Sequence, residues 1–248
     1  MKNIITITTD FGDNFSLAQL YGVIYSINPS ANVVTLSNEV EPFNIRQGAF
    51  IIQENSKVFP DKTIYVGVVD PGVGSKRDAV IVETNKSIYV GPDNGLFYPS
   101  IKSETILKQY VIDERKVAKN HSQTFHGRDV FSVVAAKISL GEEPSSFAKK
   151  RVDNLVPLAF KKNEIVLIDD YGNIKVQNNC STLKVGDTFI VQIRKREVEI
   201  PFVRTFSDVK VGDLLGYRGS NDLLEIAVSN GSASEKIGIQ LGDILNLK

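Results

Sequence analysis

Five short segments of the sequence place a carboxylate or a histidine beside a glycine, close to the end of an apolar run. Such residues can bind small polar molecules, because glycine lets the backbone approach a ligand and the side chain gives a directional hydrogen bond. Each segment also has an ordinary structural explanation, since Asp before Gly or Pro forms turns and Asp10 could cap a helix. The five segments are Thr8–Gly12, Val69–Gly74, Gly91–Gly95, Thr124–Asp129 and Ile168–Asn173.

The first four segments lie in a part of the chain where short apolar runs alternate with helix-like stretches. This alternation predicts an α/β domain over residues 1–155, in which polar residues at strand ends face a ligand. Strands are expected at Ile4–Thr8, Val33–Leu36, Thr63–Val69, Ala79–Thr84 and Ser87–Val90. Helices are expected at Ser16–Asn28, Ile45–Val58 and Phe125–Gly141, the last with Gly141 as its C-terminal cap.

The pattern changes after about residue 150. No long helix is expected there, and Gly-Asp turns separate short strand-like runs, which predicts a small antiparallel β-barrel or sandwich over residues 163–248. The runs are Ile165–Ile168, Thr188–Ile193, Glu197–Val203, Leu223–Val228 and Ile244–Leu247.

Composition excludes several classes of function. The 248 residues contain 29 Lys and Arg against 29 Asp and Glu, so the chain lacks the basic excess of a nucleic-acid binder. No apolar run reaches the ~18 to 20 residues that span a bilayer. With one cysteine, Cys180, and two histidines, His121 and His126, a structural zinc site of Cys and His cannot form within one chain. We therefore expect a reduced, cytoplasmic, soluble protein with no nucleic-acid or membrane partner.

Taken together and in order, the motifs resemble those of the S-adenosyl-L-methionine hydroxide adenosyltransferases, relatives of the fluorinases and chlorinases. The motifs are TTDFG, VVDPGVG, GPDNGL, TFHGRDVF, DDYGN and GSNDLLEIAVSNGSA. The resemblance implies a Rossmann-like α/β domain followed by a β-barrel. It also implies hydrolysis of S-adenosyl-L-methionine to adenosine and L-methionine by attack of water or hydroxide on ribose C5′, without a metal or organic cofactor. Family members are typically homotrimers with active sites between subunits.

By this resemblance the water-activating residues are Asp70, Arg77 and His126. Singly, each has a plain alternative: a turn aspartate, a solvated arginine and a core histidine. Because the sulfonium is already a good leaving group, the enzyme mainly has to hold a water in line behind C5′. We expect Asp70 and His126 to position and polarise this water and Arg77 to orient Asp70; the sequence leaves open which group takes the proton.

The resemblance also implies a set of substrate-binding residues. Asp10 is expected to accept hydrogen bonds from the ribose hydroxyls, and Asp169 and Asn173 to recognise the amino and carboxylate ends of methionine. Tyr171 stands where phenylalanine is more usual, and Asn221 where the fluorinase has arginine. The full set is Asp10, Phe43, Asn94, Phe125, Asp169, Tyr171, Asn173, Phe206, Ser220 and Asn221; each phenylalanine could equally be a core residue.

Two other functions compete with hydrolysis. A halogenase would attack the same carbon with chloride or fluoride, but the position of Asp70 is tyrosine in the halogenases, and a carboxylate there would repel an anion. A non-catalytic protein that only binds adenosine or S-adenosylmethionine would not need Asp70, Arg77 and His126 together.

Overall fold

The computed structural model describes residues 4–117, 122–151, 154–193 and 196–248, and His121 therefore lies outside the described residues. The chain divides into two units, Met1–Ala159 and Phe160–Lys248. The predicted domain limits, residues 155 and 163, flank this division.

The first unit is a seven-stranded sheet with helices between its strands. Its strands are β1 (Ile4–Thr9), β2 (Asn32–Ser37), β3 (Ile64–Val68), β4 (Ala79–Thr84), β5 (Ile88–Pro92), β6 (Ile106–Ile112) and β7 (Ala148–Arg151). Its helices are α1 (Asn14–Ile27), α2 (Ile45–Ser56), α3 (Tyr98–Ile101), α4 (Glu114–Val117) and α5 (Ser132–Ser139). A π-helical turn, Gly127–Phe131, leads directly into α5.

The order of the strands creates a position where ligands bind in open α/β sheets. The order is β2-β1-β3-β5-β4-β6-β7, in which β2, β1, β3 and β5 are parallel and the remaining pairs antiparallel. The connection after β1 leads to β2 on one side, and the connection after β2 returns to β3 on the other. The carboxyl ends of β1 and β3 therefore flank a topological switch point.

Apolar strand residues explain why β1 and β3 lie inside this sheet and not at its edge. Ile5 and Ile7 of β1 and Ile64 of β3 are fully buried, and they pack in one core cluster with Leu20 of α1 and Val134 of α5. A strand that is buried on both faces needs such a run of β-branched residues. The core thus fixes the two strand ends that carry Asp10 and Asp70.

The predicted elements of the first unit are mostly present, but the short helices α3 and α4 were not expected. Strands β6 and β7 were not expected, because their segments carry exposed polar and charged residues. The single helix expected over Phe125–Gly141 is wrong in its first part, which is the π-helical turn. Gly141 has a φ of +97° just after the last turn of α5, as the predicted cap requires.

The second unit contains two antiparallel sheets and a short helix, α6 (Ala233–Ile237). One sheet has the order β11-β10-β14 and the other β12-β13-β9-β8. These strands are β8 (Ile165–Ile168), β9 (Ile174–Val176), β10 (Thr188–Ile193), β11 (Arg196–Pro201), β12 (Leu214–Arg218), β13 (Leu224–Val228) and β14 (Asn246–Leu247).

Within the described residues, strand pairing forms two separate antiparallel sheets, and closure into the predicted barrel stays a prediction. Single bridges join the sheet edges, Phe202 to Gly216 and Glu164 to Ile244. The ladders stop there because a 3₁₀ turn, Phe206–Asp208, follows the first bridge and β14 is only two residues long.

Candidate active site

A buried ion pair occupies the carboxyl end of β3. Nε of Arg77 donates to both carboxylate oxygens of Asp70 at 3.0 Å, and Nη2 of Arg77 donates to Oδ2. The side chains are only 10% and 6% exposed. A guanidinium fork matches a carboxylate in this way, so the orientation of Asp70 is fixed before any ligand binds.

His126 joins this pair through the same guanidinium group. Nη2 of Arg77 lies 2.9 Å from Nδ1 of His126, whereas the nearest carboxylate oxygen of Glu114 lies 3.6 Å from that nitrogen, beyond hydrogen-bond distance. Arginine has no acceptor, so Nδ1 must accept and the ring proton of neutral His126 is on Nε2. The predicted residues Asp70, Arg77 and His126 thus form one connected group.

Local backbone structure holds His126 in this position. His126 is buried and immediately precedes the π-helical turn Gly127–Phe131, a rare feature that is frequent at functional sites. A side chain at Gly127 would collide with Val68 of β3, because a Cβ atom there would lie 2.6 Å from the Cγ1 atom of Val68. The absence of a side chain lets the turn pack directly on the strand that leads to Asp70.

A cleft of about 100 Å³ opens beside these residues. It brings together the predicted residues Asp10, Phe43, Asp70, Phe125 and His126, and is also lined by Phe11, Val68, Val73, Thr124 and Gly127. Phe11 and Thr124 were not predicted as site residues. The one sequence signal for them is that they adjoin Asp10 and Phe125 within the motifs. The cleft combines two carboxylates with an aromatic wall.

Asp10 is oriented by the backbone of Phe43. The N–H group of Phe43 donates to Oδ2 of Asp10 at 2.8 Å. Phe43 has a φ of +66°, which is rare for a bulky residue, and its side chain is 70% exposed. Such strain persists where surrounding structure imposes it, and here it places both an N–H donor and an aromatic ring at the cleft.

Arg128 supports the aromatic wall from behind. The rings of Phe125 and Phe11 meet edge to face at 5.7 Å between centroids. The guanidinium carbon of Arg128 lies 4.8 Å from the centroid of Phe125, and its Nη1 donates to Gln19 at 2.8 Å. Hydrogen bonding to Asp129 raises the pKa of Arg128, so this cation is permanent.

Asn94 does not take the place expected for a substrate residue. Its Nδ2 donates to the backbone carbonyl of Val69 at 2.9 Å, and its Oδ1 accepts from the N–H group of Leu96 at 3.2 Å. Asn94 is not one of the described residues that line the cleft. The side chain therefore contacts the backbone immediately before Asp70.

The second unit carries a separate, wider cleft of about 490 Å³. It is lined by three predicted residues, Tyr171, Asn173 and Phe206, together with Val228 and the segment 230–232. Asp169 lies behind them: Oδ1 accepts from the N–H groups of Tyr171 and Asn173 at 3.0 and 2.9 Å, and Oδ2 accepts from Nδ2 of Asn173 at 3.0 Å. Asp169 thus shapes the turn that presents Asn173.

Beside this cleft, a row of polar residues crosses the four-stranded sheet β12-β13-β9-β8 of the second unit. Lys175, Glu225 and Tyr217 are cross-strand neighbours on β9, β13 and β12. Lys175 donates to Oε1 of Glu225, and the Tyr217 hydroxyl donates to Oε2 at 2.6 Å. Burial, reinforced by Glu225, raises the pKa of Tyr217. The Tyr217 ring contacts Phe206 with centroids 5.4 Å apart, so the row holds one wall of the cleft.

Ser220 and Asn221 lie away from these residues. They occupy the turn between β12 and β13, next to Leu224, whereas Asn173 precedes Ile174, which pairs with Ile226. The two predicted groups therefore lie toward opposite ends of β13. Within one chain, the structure does not bring Ser220 and Asn221 to the cleft of Asn173.

Across residues 4–117, 122–151, 154–193 and 196–248, no group of three or more His, Cys, Asp or Glu side chains is arranged to hold a metal ion. In the same ranges, every helix is too short or too polar to cross a membrane.

Comparison with known proteins gives matches to both units. The sequence profiles described as the SAM hydroxide adenosyltransferase N-terminal and C-terminal domains match residues 5–148 and 163–246. An "(R)-S-adenosyl-L-methionine hydrolase" from Methanocaldococcus jannaschii is 31% identical over 99% of this chain and 95% of its own length. A "Fluorinase" from Nocardia brasiliensis is 21% identical over 100% of this chain and 97% of its own.

A solved structure is also similar to this chain. The crystal structure of a conserved protein from Thermotoga maritima superposes with a TM-score of 0.93 at 31% identity, covering 99% of this chain and all of that one. With profiles of both domains matched in order across most of the sequence, the chain belongs to the SAM hydroxide adenosyltransferase family.

Proposed function

We propose that this protein hydrolyses S-adenosyl-L-methionine to adenosine and L-methionine. The observation that carries the proposal is the Asp70 carboxylate, held in the cleft by Arg77 and facing the same space as Asp10. In the reaction, a water oxygen forms a bond to ribose C5′ while the bond from C5′ to sulfur breaks. The bonding pair leaves with sulfur as the neutral thioether of methionine, and the water loses one proton.

Asp70 is the group that we propose to accept this proton or hold it in a hydrogen bond. Both lone-pair sites facing Arg77 are occupied, but a carboxylate has about four such sites and keeps acceptors for water. His126 is unsuited to the role in this arrangement, since Nδ1 is occupied by Arg77 and Nε2 carries the proton. His126 instead accepts from Nη2 of Arg77 at Nδ1 and so helps to hold the guanidinium group that orients Asp70.

The remaining residues of the two clefts are proposed to bind the substrate. Asp10 offers its free oxygen to the ribose hydroxyls, because Phe43 engages only Oδ2. Tyr171, Asn173 and Phe206 offer aromatic surface and an amide to the adenine or methionine end. No metal or organic cofactor is required, since the substrate carries its own leaving group.

The negative charge of Asp70, beside the position of the nucleophile, favours hydrolysis over halogenation. An ionised Asp70 attracts the hydrogens of water and repels a chloride or fluoride ion. The relatives named hydrolases are also more similar in sequence than the fluorinase, at 31% against 21% identity. A protein that only binds the nucleoside would gain nothing from the buried pair of Asp70 and Arg77.

The test is to incubate the protein with S-adenosylmethionine in ¹⁸O-labelled water and analyse the adenosine by mass spectrometry. We expect one labelled oxygen at C5′ and stoichiometric methionine. Because the relative from Methanocaldococcus jannaschii is named for the (R) epimer at sulfur, each epimer is assayed separately, and we propose that the (R) epimer is preferred. Adenosine formation no faster than in the protein-free control, with both epimers, would refute the proposal.

Three structural expectations belong to the same proposal. We propose a homotrimer, for which light scattering should give about 82 kDa, three times 27.4 kDa. We propose a Rossmann-like first domain and a second domain that closes as a barrel, supported by the four parallel strands and by the single bridges between the two sheets. A cytoplasmic location is supported by the use of only one cysteine.

A further inference from the structure

We infer that Asn94 is a positioning residue for Asp70, and that the segment 154–159 holds Asn94 in place from behind. The inference rests on the proposed function only in assigning Asp70 to the reaction. It changes the expected role of Asn94 from binding the substrate to fixing the backbone that carries the reacting carboxylate.

Strand register explains how Asn94 reaches that backbone. β5 lies parallel to β3, with Val66 opposite Val90, so the two strands end side by side. Asn94 comes two residues after β5 and Val69 one residue after β3. The Nδ2 donor of Asn94 therefore meets the carbonyl of Val69 at 2.9 Å, in the peptide group that links Val69 to Asp70.

Val69 is also held on its other side. It is fully buried, and a Cβ atom on Gly48 of α2 would lie 3.0 Å from its Cγ2 atom. The same Cβ atom would lie 2.9 Å from Leu96, whose N–H group donates to Asn94. The helix, Leu96 and Asn94 thus confine the residue before Asp70, which leaves its peptide group little room to rotate.

The segment 154–159 completes this support. The N–H group of Val156 donates to Oδ1 of Asp93 at 2.9 Å, and a Cβ atom on Gly95 would lie 3.0 Å from Leu158. Nη2 of Arg46 donates to the carbonyl of Ala159 at 2.8 Å. Residues on both sides of Asn94 are therefore anchored to this segment, and the chain of contacts runs from Val156 through Asp93 and Asn94 to Asp70.

Positioning of this kind has a kinetic signature that substrate binding lacks. A residue that touches substrate in both ground and transition states changes KM, whereas one that aligns the reacting group changes kcat. Since a misplacement of about 1 Å can cost about 100-fold in rate, we expect Asn94→Ala to lower kcat about 10- to 100-fold. Its KM and its affinity for adenosine should stay within about threefold of wild type.

Hydrogen exchange tests the same inference without relying on activity. In the full-length protein, Asn94→Ala should accelerate amide exchange in the peptide covering residues 70–78, which follows the released carbonyl. Val156→Pro removes the N–H group that binds Asp93 and should accelerate amide exchange in the same peptide. The matched variant Val156→Ala keeps that N–H group, so its exchange should equal that of the wild type. This readout applies even if the wild-type protein does not hydrolyse S-adenosylmethionine. Absence of hydrolysis would refute the proposed function and leave the inference about Asn94 to be decided by exchange.

The outcomes separate the two roles of Asn94. Unchanged exchange over residues 70–78 in both Asn94→Ala and Val156→Pro would overturn the inference. A raised KM with unchanged kcat would overturn it in favour of a substrate-binding role. Should Asn94→Ala fold poorly, Asn94→Asp keeps the acceptor for Leu96 but loses the donor to Val69, and Val156→Pro tests the support from the other end.

Discussion

The buried pair of Asp70 and Arg77 allows a quantitative prediction. Arg77→Met removes the charge but keeps an unbranched chain beside Phe131, and Asp70→Asn is nearly isosteric. Each single variant leaves one buried charge without its partner, which typically costs ~3 to 5 kcal/mol of unfolding free energy. The double variant Asp70→Asn/Arg77→Met leaves neither charge, so it should be more stable than the sum of the two losses predicts.

Urea unfolding at pH 7 measures this double-mutant cycle. With a slope of ~1 to 3 kcal/mol per molar urea, a loss of about 3 kcal/mol lowers the midpoint by about 1 to 3 M. We expect a coupling energy of at least ~2 kcal/mol, at the upper end of the range for residues in contact. Both single variants should also lose adenosine formation.

An exposed pair provides the control. Glu54 and Lys57 lie one turn apart, and the Lys57 side chain is 53% exposed, so their cycle should give a coupling energy below ~1 kcal/mol. If the Asp70 and Arg77 losses add within ~0.5 kcal/mol, the pair contributes no more than surface charges do, and the argument that it fixes Asp70 fails.

Three further predictions test other parts of the site. Gly74→Ala should lose more stability and activity than Gly186→Ala, because both have positive φ but only at Gly74 would a Cβ atom meet a backbone oxygen, at 2.8 Å. Equal melting temperatures for the two variants would contradict this. Tyr217→Phe should raise KM and leave kcat unchanged, since it frees the wall formed by Phe206; a fall in kcat at constant KM would contradict that role. Burial raises the pKa of Asp93, so its neutral form is favoured in the folded state. This contribution to stability is complete below pH 3.8 and is lost as pH rises through the raised pKa. In urea unfolding, Asp93→Asn should therefore gain stability relative to wild type as the pH is raised from 3.5 to 7. A difference in unfolding free energy that stays constant over this range would refute the assignment.

Sequence patterns predicted the central strands well because burial on both faces demands a recognisable run of residues. Ile4–Thr8 was predicted and β1 spans Ile4–Thr9. Strand β6, by contrast, contains Lys108 and Gln109 and has exposed residues at its start, so its place in the sheet depends on partners that are distant in sequence. The π-helical turn after His126 was missed for a different reason, since a single turn of five residues is too short to show a hydrophobic period of its own.

The candidate site was predictable as a set of residue types but not in its connections. The motifs identified Asp70, Arg77 and His126, and the structure connects all three. They could not reveal that Asn94 faces the carbonyl of Val69, because that contact depends on the register of β5 against β3. Nor could they reveal that Asn221 lies near the opposite end of β13 from Asn173, which is again a matter of strand register.

The exposed ring of Phe43 gives ligand binding a thermal signature. A nucleoside that packs on this ring removes apolar surface from water, and each Å² so removed lowers the heat capacity by about 0.45 cal/mol/K. The enthalpy of adenosine binding should therefore become more negative as temperature rises. Calorimetry of Phe43→Ala at several temperatures should give a shallower slope, because the variant has less apolar surface left to cover.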